Sequence, residues 1–293
     1  MSLQSIVTSM TDIIETCLTI DADSSHLKAS LLLANRTELS QAKIKDAMHK
    51  GAVWLSRGSD KKRLRRASKP LKEGDRLELN YNAELLSQLV PEPKLVHDAW
   101  HYSVWYKPYG LYCQGSRWGD FASINRWVEI NLPKILNSAE RPVFLVHRLD
   151  RATTGLIVLC HSKTAARLFS AMFEEGKIDK RYQAIVHGDF SVFAQDYEVD
   201  RIVDGKMARS IFSYVNKRDD CSLVDVRLLT GRKHQIRQHL SALEYPIVGD
   251  RLYGCGDSED KDLQLQSVSL RFTCPITDTE QHYVVADHQR IQL

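Results

Sequence analysis

Three stretches of this chain carry side chains able to do chemistry. The first is Val146-His147-Arg148-Leu149-Asp150-Arg151-Ala152-Thr153-Thr154-Gly155. It places a carboxylate between two arginines just beyond an apolar run. Flanking cations favour the ionised carboxylate when they approach within a few Å, and an ionised, partly desolvated Asp serves as a nucleophile or a base. The same residues also suit an Arg–Asp–Arg network that merely fixes a loop, and composition leaves both readings open. The second stretch, Leu228 to His239, crowds Arg232, Lys233, His234 and Arg237 into the expected first turns of a helix that also presents Ile236 and Leu240. A helix N-terminus is already electropositive, so these cations would make it a receptor for phosphate or carboxylate. His234 and His239 make a poor metal pair: five residues apart on a helix, they point about 140° from one another, and no acidic third ligand is near in sequence. The third stretch is Lys180-Arg181-Tyr182-Gln183-Ala184-Ile185-Val186-His187-Gly188. Strand alternation puts Tyr182 on one face, either as an ordinary core ring or as a flat plate for stacking a base.

These groups need elements to position them. Tyr102–Tyr106, Val143–Val146, Leu156–Cys160, Tyr182–Val186, Ala208–Val215, Ser222–Leu229 and Val268–Phe272 read as strands. Ser162 caps a helix with Ala165, Leu168, Phe169, Met172 and Phe173 at helical spacing and Gly176 behind it; Arg232–Leu243 reads as another. Strands following one another with few helices between them predict an α+β protein with a mixed, mainly antiparallel sheet. Upstream, Ser40 caps a helix to His49 that Gly51 ends. Val53 and Leu55 alternate as a strand, as do Leu77, Leu79 and Tyr81 after the turn Glu73-Gly74-Asp75. The expected division is a helical extension over 1–25, a small basic α/β module over 26–84, a Pro-containing linker over 85–99 and the strand-rich body over 100–293.

The chain has 293 residues, 43% hydrophobic and 26% charged, which excludes wholesale disorder and fibrous classes. No apolar stretch approaches the roughly 18–20 residues that a membrane helix needs. The first residues have no basic flank followed by an apolar block and carry Asp12 and Glu15, so they do not read as a secretory signal, and the six scattered cysteines are expected to be reduced thiols of a cytoplasmic protein. Net charge is only +3, but residues 41–80 hold twelve Lys or Arg against five Asp or Glu. That surplus of seven leaves the rest of the chain at −4, and the asymmetry predicts a polyanionic partner for the module. The candidate contacts are Lys43, Lys45 and Lys50 on its helix, and Lys61, Lys62, Arg63, Arg65 and Arg66 in the basic loop.

Taken together and in this order, the three stretches resemble the RluA-type family of pseudouridine synthases. Tyr106-Lys107-Pro108-Tyr109-Gly110-Leu111 resembles the family's opening strand and turn, and Gly249-Asp250-Arg251-Leu252-Tyr253-Gly254 the segment beyond its third motif. Thr154 stands where Ser is usual, Lys233 replaces Thr or Ser, and Cys113-Gln114-Gly115 replaces a His-Pro step. Residues 39–82 are similar to a small RNA-binding module first recognised in a ribosomal small-subunit protein.

The resemblance implies breakage of the uridine N1–C1′ bond, rotation of the uracil and rejoining through C5, with no metal or cofactor. It implies that Asp150 is the essential carboxylate, either attacking the nucleoside or abstracting a sugar proton. Arg237 would pair with it, and Tyr182 would stack on the uracil and take part in removing the C5 proton. Ile236 would close the apolar side. Arg148 would enter the vacated helix or hold phosphate as the uridine flips out, with Lys107, Arg151 and Arg232 contributing. The expected partner is RNA, ribosomal before transfer RNA because of the appended module, and the expected state a monomer. The rival reading is a non-catalytic RNA-binding or assembly protein. Against a metal- or serine-dependent hydrolase, the sequence has neither a Gly-x-Ser-x-Gly elbow nor a ligand cluster of suitable spacing.

Overall fold

The computed structural model describes residues 13–193, 195–254 and 261–293. The chain forms two compact units, one of residues up to 90 together with 114–127, the other of 91–113 and 128–293.

In the smaller unit the chain runs β1 (Ile13–Thr19), α1 (Ala29–Arg36), α2 (Gln41–His49), β2 (Val53–Arg57), β3 (Asp60–Arg63), β4 (Arg76–Asn82) and α3 (Ala83–Ser87). The sheet order is β1-β4-β2-β3, all antiparallel. The Ser40 hydroxyl accepts the Lys43 N–H at the start of α2. At its far end Gly51 takes φ +85°, and the Ala52 N–H reaches back to the Ala47 carbonyl. Ile44, Ala47 and Met48 are fully buried against Val53, Leu77 and Leu79. Burying a side chain of this size is worth roughly 1.5–3 kcal/mol, against about 1 for the cap, so the apolar face decides that α2 forms.

The helical extension expected over 1–25 is not what forms where the chain is described. Ile13–Thr19 is an edge strand with strictly alternating exposure, paired with β4 from Ile13 opposite Asn82 to Thr19 opposite Arg76. Its Ile-Ile and Thr residues are β-branched, and the sheet edge outweighs the weak local helical pattern. The earlier part of that expected helix, 1–12, lies outside the described residues.

The larger unit contributes β5 (Lys94–Asp98), β6 (Tyr102–Lys107), β7 (Phe144–Leu145), β8 (Thr154–Cys160), α5 (Lys163–Glu174), β9 (Asp179–His187), β10 (Tyr197–Val203), β11 (Lys206–Arg218), β12 (Cys221–Leu228), α6 (Gln235–Ala242), β13 (Leu265–Thr273) and β14 (Glu280–Val284). A further helix, α4 (Ile124–Leu136), precedes β7. The sheet order is β10-β11-β12-β9-β13-β8-β6-β5, with β14 on β13 and β7 on β8. Only β13 and β8 run parallel among these pairings, as a mixed, mainly antiparallel sheet requires. The expected linker over 85–99 is therefore corrected. Its start belongs to α3, and Lys94–Asp98 is an edge strand on β6. A register shift between Leu95 and His97 breaks the alternation that would have revealed it.

Three central strands place the site. Gly155 on β8 pairs with Ser267 on β13, and Ser267 is in turn opposite Tyr182 on β9. Gly155 has φ +106°, and a Cβ there would collide with the Ser267 backbone. Only glycine lets these strands close at the point where the Asp150 loop enters β8. Gly155→Ala should destabilise the protein by at least about 2 kcal/mol, from overpacking and left-handed strain combined, read as a lower urea midpoint at unchanged slope.

Candidate active site

Asp150 is at the end of the loop between β7 and β8, where its carbonyl accepts the Thr153 N–H and turns the chain into the strand. Its side chain keeps about a quarter of its surface exposed. Two residues of the second stretch reach it. Arg237 Nη1 lies 3.5 Å from Asp150 Oδ2, and His234 Nε2 lies 3.6 Å from Oδ1.

Arg237 is held from behind. Its Nε and Nη2 donate to the two oxygens of Asp250 at 2.8 and 2.6 Å, in a fork that leaves Nη1 for Asp150. Asp250 is almost wholly buried and also accepts the Leu252 and Tyr253 N–H groups. Hydrogen bonding from Arg237 and these amides outweighs burial and holds the Asp250 carboxyl below the usual range; Asp250 in turn keeps the buried guanidinium charged. Tyr253 closes the arrangement, with its ring 5.1 Å from the Arg237 guanidinium and its hydroxyl 3.1 Å from His234 Nδ1.

Tyr182 is buried on β9, in electrostatic range of Asp150. Burial pushes its phenol well above the ordinary value, and the Asp150 charge adds to that. The ring is therefore a neutral plate at physiological pH. Ile236 is buried beside Arg237 on α6.

The Asp150 loop is tied down on its inner side by two groups. Lys107 is fully buried, and its ammonium donates to the carbonyls of Pro108, Leu111 and Arg151 at 2.9–3.1 Å. Burial lowers its pKa to about 8. The expectation that Lys107 contacts substrate is thus corrected: three carbonyls consume its donors, and it fastens the backbone one residue beyond Asp150. Cys113, also buried, donates its thiol to the Leu149 carbonyl and accepts the Leu149 N–H, fastening the residue before. His147 accepts the Val158 N–H and stacks on Phe173 at 4.2 Å; burial lowers its pKa to about 3, so it is a neutral structural ring.

The remaining arginines divide. Arg148 is exposed, with no ion pair among the described residues. Arg151 is exposed but lies over Tyr112 and donates to the Gly110 carbonyl. Arg232 donates to the Met207 carbonyl and is otherwise exposed. The helix expected from Arg232 starts only at Gln235, because the Gln235 side chain caps the Arg232 N–H and the Thr230 hydroxyl instead. Arg232, Lys233 and His234 thus lie in the loop before α6. His239 turns into the core against Phe212, away from any shared site with His234.

In the smaller unit Lys43, Lys45, Lys61, Lys62 and Arg66 are exposed. Arg63 and Arg65 are corrected as free contacts: both engage Asp120, and Arg63 also bonds the Gly51 and Ser116 carbonyls. Lys50 pairs with Asp46 and donates to the Leu86 carbonyl.

Sequence reasoning assigned no role to Asp250 or Tyr253, although both fall inside a segment it had singled out, and it read His234 only as one of several cations of a receptor for phosphate or carboxylate. The signal was the acid of Gly249-Asp250-Arg251, which has no cation to serve in its own segment except Arg251.

A family profile described as RNA pseudouridylate synthase matches residues 101–242. An "uncharacterized RNA pseudouridine synthase" of Chloroflexus aurantiacus is 30% identical over 231 residues, 74% of this chain and 72% of that one. "Uncharacterized RNA pseudouridine synthase YjbO" of Bacillus subtilis is 34% identical over 48% of this chain and 54% of its own, so the chain spans about half the length of that relative. "tRNA pseudouridine synthase C" of Vibrio parahaemolyticus is 32% identical over 47% and 69%. Among solved structures, "Human RNA Pseudouridylate Synthase Domain Containing 4" superposes with a TM-score of 0.55 and 26% identity, covering 66% of this chain and 88% of that one. With the Chloroflexus aurantiacus relative matched over most of both chains, the chain belongs to the RluA-type family of RNA pseudouridine synthases.

Proposed function

We propose that this chain isomerises uridine in structured RNA to pseudouridine, with Asp150 as the essential carboxylate. The observation that carries the reading is the Asp150–Arg237–Asp250 relay. A protein that only bound RNA would have no use for a part-exposed carboxylate aimed by a buried, forked guanidinium.

Asp150 attacks the nucleoside or takes a sugar proton; both need an ionised oxygen, which Arg237 and His234 flank. Tyr182 supplies an apolar plate of the right kind for an everted uracil. Its neutral phenol suits stacking, and it acts on the C5 proton only after losing its own. Everting the base costs a few kcal/mol, which phosphate contacts from Arg148 and Arg232 offset in part. The chemistry calls for no cofactor.

The smaller unit supports an RNA partner. A cleft of about 760 Å³ on its sheet presents Lys61, Arg76 and Arg117 beside the half-buried Trp54, with Glu15 and Glu78 and with Arg63 held by Asp120. For ribosomal RNA the support is this appended unit; for transfer RNA it is the name of the Vibrio relative.

Site-resolved pseudouridine mapping of cellular RNA, with the wild type and Asp150→Asn, tests the reading and names the target. Sites made by the wild type should vanish in the variant; identical maps would remove Asp150 from the chemistry. Arg237→Met and Asp250→Asn should each lower kcat by about 10–100-fold, the loss of one charge-assisted interaction of roughly 1.5–3 kcal/mol. RNA affinity should change by less than about threefold. Equal losses of turnover and affinity would make Arg237 a phosphate contact instead.

A further inference from the structure

His234 occupies the N-cap position of α6 but does not cap it. Its side chain makes no bond to the first turn, and its backbone sits in the left-handed region at φ +53°, ψ +23°. A non-glycine residue there costs of order 1 kcal/mol or more and persists only where its surroundings demand it. The demand here comes from the ring. Nδ1 is 3.1 Å from the Tyr253 hydroxyl, and Nε2 faces Asp150 Oδ1 at 3.6 Å. A carboxylate oxygen is best faced by an N–H. On that ground the Tyr253 hydroxyl would donate to Nδ1 and leave the proton on Nε2. Arg237 and His234 then address different oxygens of one carboxylate.

We propose that His234 is a positioning residue for Asp150: as a neutral imidazole it orients the carboxylate's second oxygen, and on protonation it captures that oxygen in an ion pair and withdraws Asp150 from the reaction. This rests on the proposed isomerisation and adds a pH response to it. The charged and titratable groups around the ring are Asp150, Arg237, Lys233 and Asp250, with Tyr253 against its edge. Burial lowers the His234 pKa; Arg237 and Lys233 act in the same direction, Asp150 and Asp250 against them. The ring is thus neutral at physiological pH and charges only on the acid side of the ordinary histidine range. Turnover is retained above that pKa and lost as pH falls through it.

The test uses the full-length protein in two arms. In the first, kcat for pseudouridine formation on bulk RNA is followed against pH. The wild type should lose about tenfold per pH unit below the His234 pKa. His234→Gln keeps an N–H donor without titrating, so its acid limb should vanish or move at least about one unit lower, with a modest loss of kcat at pH 8. His234→Ala should lose about tenfold at pH 8 with KM nearly unchanged. The second arm needs no activity. Histidine ¹⁵N NMR of the free protein, assigned by the signal missing in His234→Gln, should show the Nε2–H tautomer. Its titration midpoint should fall in Asp150→Asn, because the carboxylate that favours the charged ring is gone. An unchanged acid limb in His234→Gln, or an unchanged midpoint in Asp150→Asn, overturns the proposal. A wild type that makes no pseudouridine overturns the isomerase reading, while the NMR arm still decides whether the two side chains are coupled.

Discussion

Everything at the site depends on a buried arginine having three usable donor edges and giving two of them away. Asp250 fixes Nε and Nη2 of Arg237, which removes the side chain's rotational freedom and leaves Nη1 pointing at Asp150. A lysine could not do this, because its point-like ammonium has no fork to be held by. Breaking such a buried pair from one side costs roughly 3–5 kcal/mol. The Asp250–Arg237 pair is therefore the rigid member of the relay, and the longer Asp150 contact at 3.5 Å is the adjustable one. Asp150 is oriented by Arg237 while its side chain stays partly exposed.

The same logic is repeated behind the loop. Lys107 places an ammonium among three carbonyls, and its nearest neighbours are backbone oxygens rather than an acid. Burying a charge this way costs several kcal/mol before compensation, and it lowers the lysine's own pKa. For stability alone an apolar side chain would serve as well. What the ammonium adds is a three-way tie joining the turn after β6 to the Arg151 carbonyl. Cys113 makes the matching tie at Leu149. Asp150 is thus held at both neighbouring residues while its own side chain stays accessible.

Much of this was legible in the sequence, for reasons that are local. Ser40 and Ser162 announced their helices, Gly51 and Gly176 their ends, and the alternating runs their strands. Asp150, Tyr182 and Arg237 stood out by residue type and order. What stayed hidden depends on contacts far along the chain. Lys107 meets Arg151 across 44 residues, and Cys113 meets Leu149 across 36. A lysine beside a proline, with a glycine three residues on, signals an exposed turn, and only the folded backbone reveals that carbonyls converge on it. His234 was misread because helix periodicity ran through it, whereas the Gln235 side chain starts the helix later. β1 was missed because an edge strand of mixed polarity has no pattern of its own until β4 supplies the partner.

The basic module shows how a count of charges and a set of usable charges diverge. The surplus of seven treats every cation alike, yet the fold sorts them by cost of release. Lys61 with Glu78 and Lys62 with Asp60 are surface pairs, worth about 0–1 kcal/mol each, so a phosphate can displace either acid at little expense. Arg63 and Arg65 share Asp120, whose carboxylate is only 13% exposed, and Arg63 lies 4.2 Å from the Trp54 ring. Moving them would strand a largely buried acid. Lys43, Lys45, Arg66 and Lys69 have no ion pair among the described residues. An RNA backbone would therefore meet the outer face of α2 and the segment after β3 first, and would recruit Lys61 and Lys62 by exchange. Arg63 and Arg65 would keep the surface in shape instead of binding to it.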